Sequence, residues 1–153
     1  MKKLKKPYLT VIGNHDYNSN GAAIYKKMFG DYNYTFEFSE SKFILFDDVV
    51  WESNKKPDFD WLSKELNNTK MFKQVFVLAH IPPHGDQFDD DMEQTYRLLM
   101  EENEIPLSIH GHTHSYFYEE NTVSYLTVPS LKEPTYCIVD VASDSFNIEL
   151  IEL

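Results

Sequence analysis

The chain has 153 residues, 42% apolar and 15% aromatic, and a formal net charge of −11. That apolar share is enough for one ordinary domain with its own core, and an aromatic set dominated by Tyr and Phe suits a strand-rich α/β body better than a helical bundle. The acidic balance argues against a dedicated nucleic-acid surface, which needs clustered Lys and Arg. A phosphate ligand stays open, because a bound divalent cation reverses the field locally.

The basic start, Met1-Lys-Lys-Leu-Lys-Lys6, is not followed by a signal-peptide core, and no stretch is apolar over the length needed to span a bilayer. A cytoplasmic protein without a membrane partner is expected. Tyr8-Leu-Thr-Val-Ile12 reads as a short buried strand that stops at Gly13 and feeds the loop Gly13-Asn-His-Asp16. From Ala22 to Phe29, Ile24 pairs with Met28 and Tyr25 with Phe29 at helical spacing, and Gly30 supplies a stop. Tyr34 to Phe38 and Phe43 to Phe46, separated by the polar Ser39-Glu-Ser-Lys42, form a hairpin pattern. Pro57 opens a second helix with Phe59, Leu62 and Leu66 on one face, ended by Asn67-Asn68.

Val75-Phe-Val-Leu-Ala79 is a continuous apolar run, the pattern of a central strand covered on both faces, and His80 lies just past its end. Ile81 to Asp91, with its prolines and acids, is a loop. Met92 to Asn103 reads as a third helix through Met92, Tyr96 and Leu99, with Glu101, Glu102 and Glu104 outside. Leu107-Ser-Ile109 is a strand running into His110-Gly-His-Thr-His114. Strand signals alone follow, at Tyr116 to Tyr118, Val123 to Val128, Tyr136 to Val141 and Phe146 to Leu153. The lone cysteine, Cys137, lies in an apolar run and reads as a small core residue. No repeat, linker or low-complexity segment interrupts this order, so residues 1–153 read as a single domain.

Five of the six histidines, His15, His80, His84, His112 and His114, lie in or next to strand-to-loop junctions, and His110 precedes one of them. Imidazole is the commonest nitrogen ligand for divalent transition metals, and separate loops at one sheet edge can converge on one ion. A single such histidine would read as a hydrogen-bonded loop or core residue; three loops of the same character point to a metal site.

Gly13-Asn-His-Asp16, the histidine of Ala79-His-Ile-Pro-Pro83, and Gly111-His-Thr-His114 resemble, in order, the third, fourth and fifth signature blocks of the calcineurin-like metallophosphoesterases. Asn33-Tyr-Thr-Phe-Glu-Phe38, Phe43-Ile-Leu-Phe-Asp47 and Trp61-Leu-Ser-Lys-Glu-Leu66 resemble the family's intervening strands and helix, so the likeness covers nearly the whole chain. It implies an α/β fold, a β-sandwich flanked by helices. It implies Asn14, His80 and His112 as ligands of the second metal and His114 of the first. It also places His15 at the phosphoryl group or the leaving oxygen, with Asp16 orienting it. Two divalent ions about 3.5 to 4 Å apart clamp phosphate oxygens in such sites, and a neutral histidine can serve as the acid. Manganese, iron, zinc or nickel would suit the mixed nitrogen and oxygen donors. The substrate class is a phosphoester small molecule or a phosphoprotein. His110 is expected to point away from His112, His84 to be exposed, and the acidic run Asp86 to Asp91 to be a solvated loop.

The family's Asp-x-His and Gly-Asp-x-x-Asp blocks, which supply the first metal's carboxylates and the bridging one, do not occur ahead of Gly13-Asn-His-Asp16, where the family's order places them. Met1 to Lys6 resembles the last turn of the helix that follows the second block, so the chain reads as the C-terminal part of the fold with the N-terminal strands missing. Without a bridging anion two divalent charges repel, so at most one weakly bound ion is expected. An exposed sheet edge would then invite self-association. Three readings follow: a phosphoester hydrolase in family and ancestry, a degenerate non-catalytic domain serving as an interaction module, or a site completed by carboxylates from dimerisation or a separate chain.

Overall fold

The structure, a computed structural model, describes residues 5–153. The expected helix end at Met1 to Lys6 lies largely outside the described residues; Lys5 and Lys6 form a bend. Strand-forming runs rich in Val, Ile, Phe and Tyr build a six-stranded sheet from β1 (Tyr34–Phe38), β2 (Ser41–Leu45), β3 (Gln74–Leu78), β4 (Leu107–His110), β5 (Phe117–Glu120) and β6 (Ser124–Thr127). Its order is β1-β2-β3-β4-β6-β5. The four central strands β2, β3, β4 and β6 are parallel, and β1 and β5 pair antiparallel at the two edges. A separate antiparallel hairpin, β7 (Thr135–Val141) with β8 (Phe146–Glu152), completes the strands.

Parallel central strands must be covered on both faces, and here two different covers do it. On one face α2 (Phe59–Leu66) and α3 (Asp90–Glu102) bury Leu62, Leu66, Tyr96 and Met100 against Ile44, Phe46, Val75 and Val77. Each helix starts at an aspartate cap: Asp58 accepts from Trp61 N–H at 2.9 Å and Asp89 from Met92 N–H at 2.8 Å. On the other face the hairpin sets Cys137, Val139, Phe146 and Ile148 over Phe76, Leu107 and Leu126. Phe36, Phe43 and Phe76 stack across three strands with centroids 4.6 and 5.3 Å apart. The α/β sandwich flanked by helices is the architecture expected from the sequence.

Three local expectations are corrected. Tyr8 to Ile12 does not form a strand: Ile12 is buried, but Tyr8 and Leu9 are exposed, and the segment joins no sheet among the described residues. Side chains hold it instead, with Thr10 O accepting from the hydroxyls of Tyr25 and Tyr34 at 2.9 and 2.8 Å. The first helix forms as α1 (Gly21–Phe29) with Gly30 at φ 98° as its stop, but its Ile24–Met28 pair faces outward and Tyr25 alone is buried. Ser41 and Lys42, read as hairpin loop, belong to β2 and are buried. The Lys42 ammonium is satisfied there by Glu65, through its carbonyl at 2.7 Å and its carboxylate at 3.0 Å.

Candidate metal centre

β3 and β4 are parallel neighbours, so both deliver the residues after them to the same sheet edge. Pairing continues past their ends: Ala79 N–H donates to Ile109 O at 3.0 Å and Gly111 N–H to His80 O at 3.1 Å. The backbone beside His80 is also tied to the segment that follows β2. Asp48, fully buried, accepts His80 N–H and Ile81 N–H at 3.0 Å. Burial pushes the Asp48 carboxyl well above the usual range, against the pull of the Ile81 and His80 amides. After β4 the chain turns sharply, and His112 (φ 68°) and His114 (φ 63°) both sit in the left-handed region. That conformation costs a non-glycine residue about 1–3 kcal/mol and clusters at functional sites. Bonds from Thr113 N–H to Gly111 O at 2.8 Å and from Ser130 N–H to His114 O at 3.2 Å hold it.

The third contributor is a 3-10 turn, Asn14–Tyr17. Asp16 closes it on itself, its carboxylate accepting Gly13 N–H at 2.9 Å and its amide donating to Gly13 O at 3.0 Å. No hydrogen bond from Asp16 to the His15 ring occurs among the described residues; Asp16 orients the turn. The Tyr17 hydroxyl donates to Asp47, just past β2, and burial followed by that bond raises the Tyr17 pKa. Two glycines allow the close approach. A Cβ on Gly21 would lie 2.3 Å from Asp16 O, where α1 meets the turn, and a Cβ on Gly13 would lie 3.0 Å from His80 Cε1.

These elements bring Asn14, His80 and His112 together. Asn14 Oδ1 is 3.0 Å from His80 Nε2, and the His80 and His112 rings are 5.2 Å apart at 79°. His15 and His114 are exposed and near enough to act on His80 through their charge. Burial first, then repulsion from His112 and more weakly from His114 and His15, lowers the His80 pKa to about 4 against the pull of Asp16. His80 is therefore neutral at pH 7, the state a metal ligand needs.

Two donors at about 2.1 Å from one ion and at right angles to each other stand about 3.0 Å apart, which the Asn14–His80 pair matches. In this structure that 3.0 Å contact is a hydrogen bond between the His80 ring and the Asn14 amide oxygen; Asn14 and His80, with His112 beside them, are the residues that would hold a divalent ion. Among the described residues no group of three His, Cys, Asp or Glu side chains is placed to hold a metal, so the set depends on the Asn14 amide oxygen.

His84 is exposed and rests against Phe117, with ring centroids 4.8 Å apart. His110 is buried and shares hydrogen with Ser108 at 2.8 Å, which in turn meets the Tyr96 hydroxyl at 2.8 Å. Burial lowers the His110 pKa to about 3. Two corrections to the acidic run appear: Asp86 meets His112 Nε2 at 3.0 Å and Asp89 caps α3. Sequence reasoning also missed Asp48, Glu52 and Gln87. Asp48 carries the one usable signal, its place at the end of an apolar strand.

No curated protein matches the chain. Its fold is similar to that of GAP50, the anchor in the inner membrane complex of Plasmodium, with a TM-score of 0.76 at 16% identity over 95% of this chain and 62% of that one. It is also similar to a dimetal phosphatase from Danio rerio, with a TM-score of 0.74 at 11% identity over 94% of this chain and 70% of that one. The chain thus spans less than two thirds of the length of the first and about 70% of the second. Among the described residues no helix is long and apolar enough to cross a membrane. The sequence model of the calcineurin-like phosphoesterases matches residues 1–116, and on that match the chain belongs to the calcineurin-like phosphoesterase family.

Proposed function

We propose that this chain binds one divalent metal ion through Asn14, His80 and His112 and directs it at a phosphoester, with His15 as the acid beside the reacting group. The observation that carries the reading is the 3.0 Å approach of Asn14 Oδ1 to His80 Nε2 beside His112, at the C-terminal edge of a parallel sheet. A divalent ion held there supplies Lewis-acid polarisation of a phosphoryl oxygen. Asn14 and the neutral His80 would give such an ion uncharged donors, leaving the site positive toward an anionic ester. His15 lies next to Asn14 on the turn, exposed and able to donate a proton to the departing oxygen. Asp16 fixes the turn that carries it. His114, left-handed and exposed on the same loop as His112, is the remaining imidazole for a first-site ion. Manganese, iron, zinc and nickel are the ions these donors suit.

The test is hydrolysis of a generic aryl phosphate by the purified chain with added manganese, set beside direct measurement of manganese binding. The account expects binding that H80A abolishes, and turnover that H15A lowers by about 100-fold or more while binding persists. Turnover unchanged in H15A contradicts the acid role.

A second reading rests on there being no group of three His, Cys, Asp or Glu side chains placed to hold a metal among the described residues. In it the domain binds an ion without turnover and serves as an interaction module. The fold does not decide between them. Metal bound at Asn14, His80 and His112 with no hydrolysis of aryl mono- or diesters would favour it.

A further inference from the structure

We infer that Glu52 and Gln87 are positioning residues that aim the Asn14 amide oxygen, and that Asp86, next to Gln87, aims the His112 ring. The inference rests on the reading of Asn14, His80 and His112 as metal ligands. An ionised carboxylate only accepts hydrogen bonds. Glu52 Oε1 lies 2.8 Å from Asn14 Nδ2, so the amide must turn its NH2 toward Glu52. Its oxygen then faces His80. No other orientation of Asn14 leaves both contacts satisfied.

Glu52 is fixed in turn. Its second oxygen accepts from Gln87 Nε2 at 3.0 Å, while Gln87 Oε1 accepts Val50 N–H and Trp51 N–H at 2.9 and 3.1 Å. Gln87 is 2% exposed, so its amide is locked at both ends. The neighbouring Asp86 meets His112 Nε2 at 3.0 Å, which places the ring proton there and leaves Nδ1 as the free lone pair. One stretch of loop, Asp86-Gln87, therefore orients two ligands that arise 98 residues apart in the chain, at positions 14 and 112. An asparagine ligand is usable only in one of its two amide orientations, and this carboxylate removes the other.

The experiment measures manganese affinity by calorimetry in the wild type, E52L, E52Q, N14A and the E52L/N14A double variant, with thermal unfolding of each. The expected result is a Kd raised about 10- to 100-fold in E52L. E52Q, which keeps the volume but gives up one acceptor, falls between. E52L should add no further loss in the N14A background, because its effect passes through Asn14. In 15N-labelled wild type the Asn14 side-chain amide protons exchange slowly, and that protection disappears in E52L. An E52L affinity equal to wild type overturns the inference and leaves the metal reading standing. An equal loss in both backgrounds also overturns it, showing a general effect on the fold. Absence of manganese binding by the wild type overturns the metal reading itself.

Discussion

The sheet core and the segment from Lys5 to Gly30 are built by different means, and the site lies where they meet. In the core, β3 and β4 are buried between two helices on one face and the hairpin on the other, so His80 stands at a rigid strand end and His112 on the sharp turn that follows β4. The segment Tyr8 to Phe29 has no sheet partner among the described residues. It exposes Tyr8, Leu9, Ile24, Met28 and Phe29 and is tied down by a few polar bonds, from Tyr25, Tyr34 and Tyr17 and from Asn14 itself. His80 and His112 thus follow strands of the packed core, whereas Asn14 lies on a segment held chiefly by polar bonds. Loss of the Asn14 side chain is therefore expected to leave the sheet core folded.

The largest effect should come from the core. L62A removes a fully buried side chain beneath the sheet and is expected to cost about 2–5 kcal/mol of global stability, read from urea unfolding. Next comes G21A, whose Cβ collides with the Asp16 carbonyl. It should cost about 1–3 kcal/mol and raise amide exchange in residues 10–30, with β3 and β4 still protected. Equal loss of protection in β3 would erase the contrast between the regions. Y17F, which leaves Asp47 without its hydroxyl donor, should cost about 1 kcal/mol and loosen the turn alone. Smallest is M28A, on the exposed face of α1, expected within about 0.5 kcal/mol. A larger loss there would show that this face packs against something.

The same division governs what the sequence reveals. Val75 to Ala79 could be read as a buried strand because a continuous apolar run needs cover on both faces, and His80 followed from its end. Tyr8 to Ile12 has the same local composition, yet no neighbouring strand pairs with it among the described residues, and composition does not say whether a neighbour exists. Asn14, His80 and His112 were legible because each sits in a short block at a strand or loop junction. Glu52 and Gln87 were not, since their bonds join positions 38 and 35 residues apart and neither lies in a motif. Asp86 was hidden by its acidic neighbours, which made the whole run read as solvated. The resemblance implies that Asp16 orients His15; its carboxylate closes the turn that carries His15, a bond that no motif spells out.

The central claim is that Asn14, His80 and His112 make one metal site. Its most direct test is the manganese bound per chain at equilibrium dialysis against saturating ion, in the wild type and in N14A, H80A and H112A. The account predicts close to one ion per wild-type chain and a marked loss in each variant with the fold retained. Ion content unchanged across all three variants would contradict it.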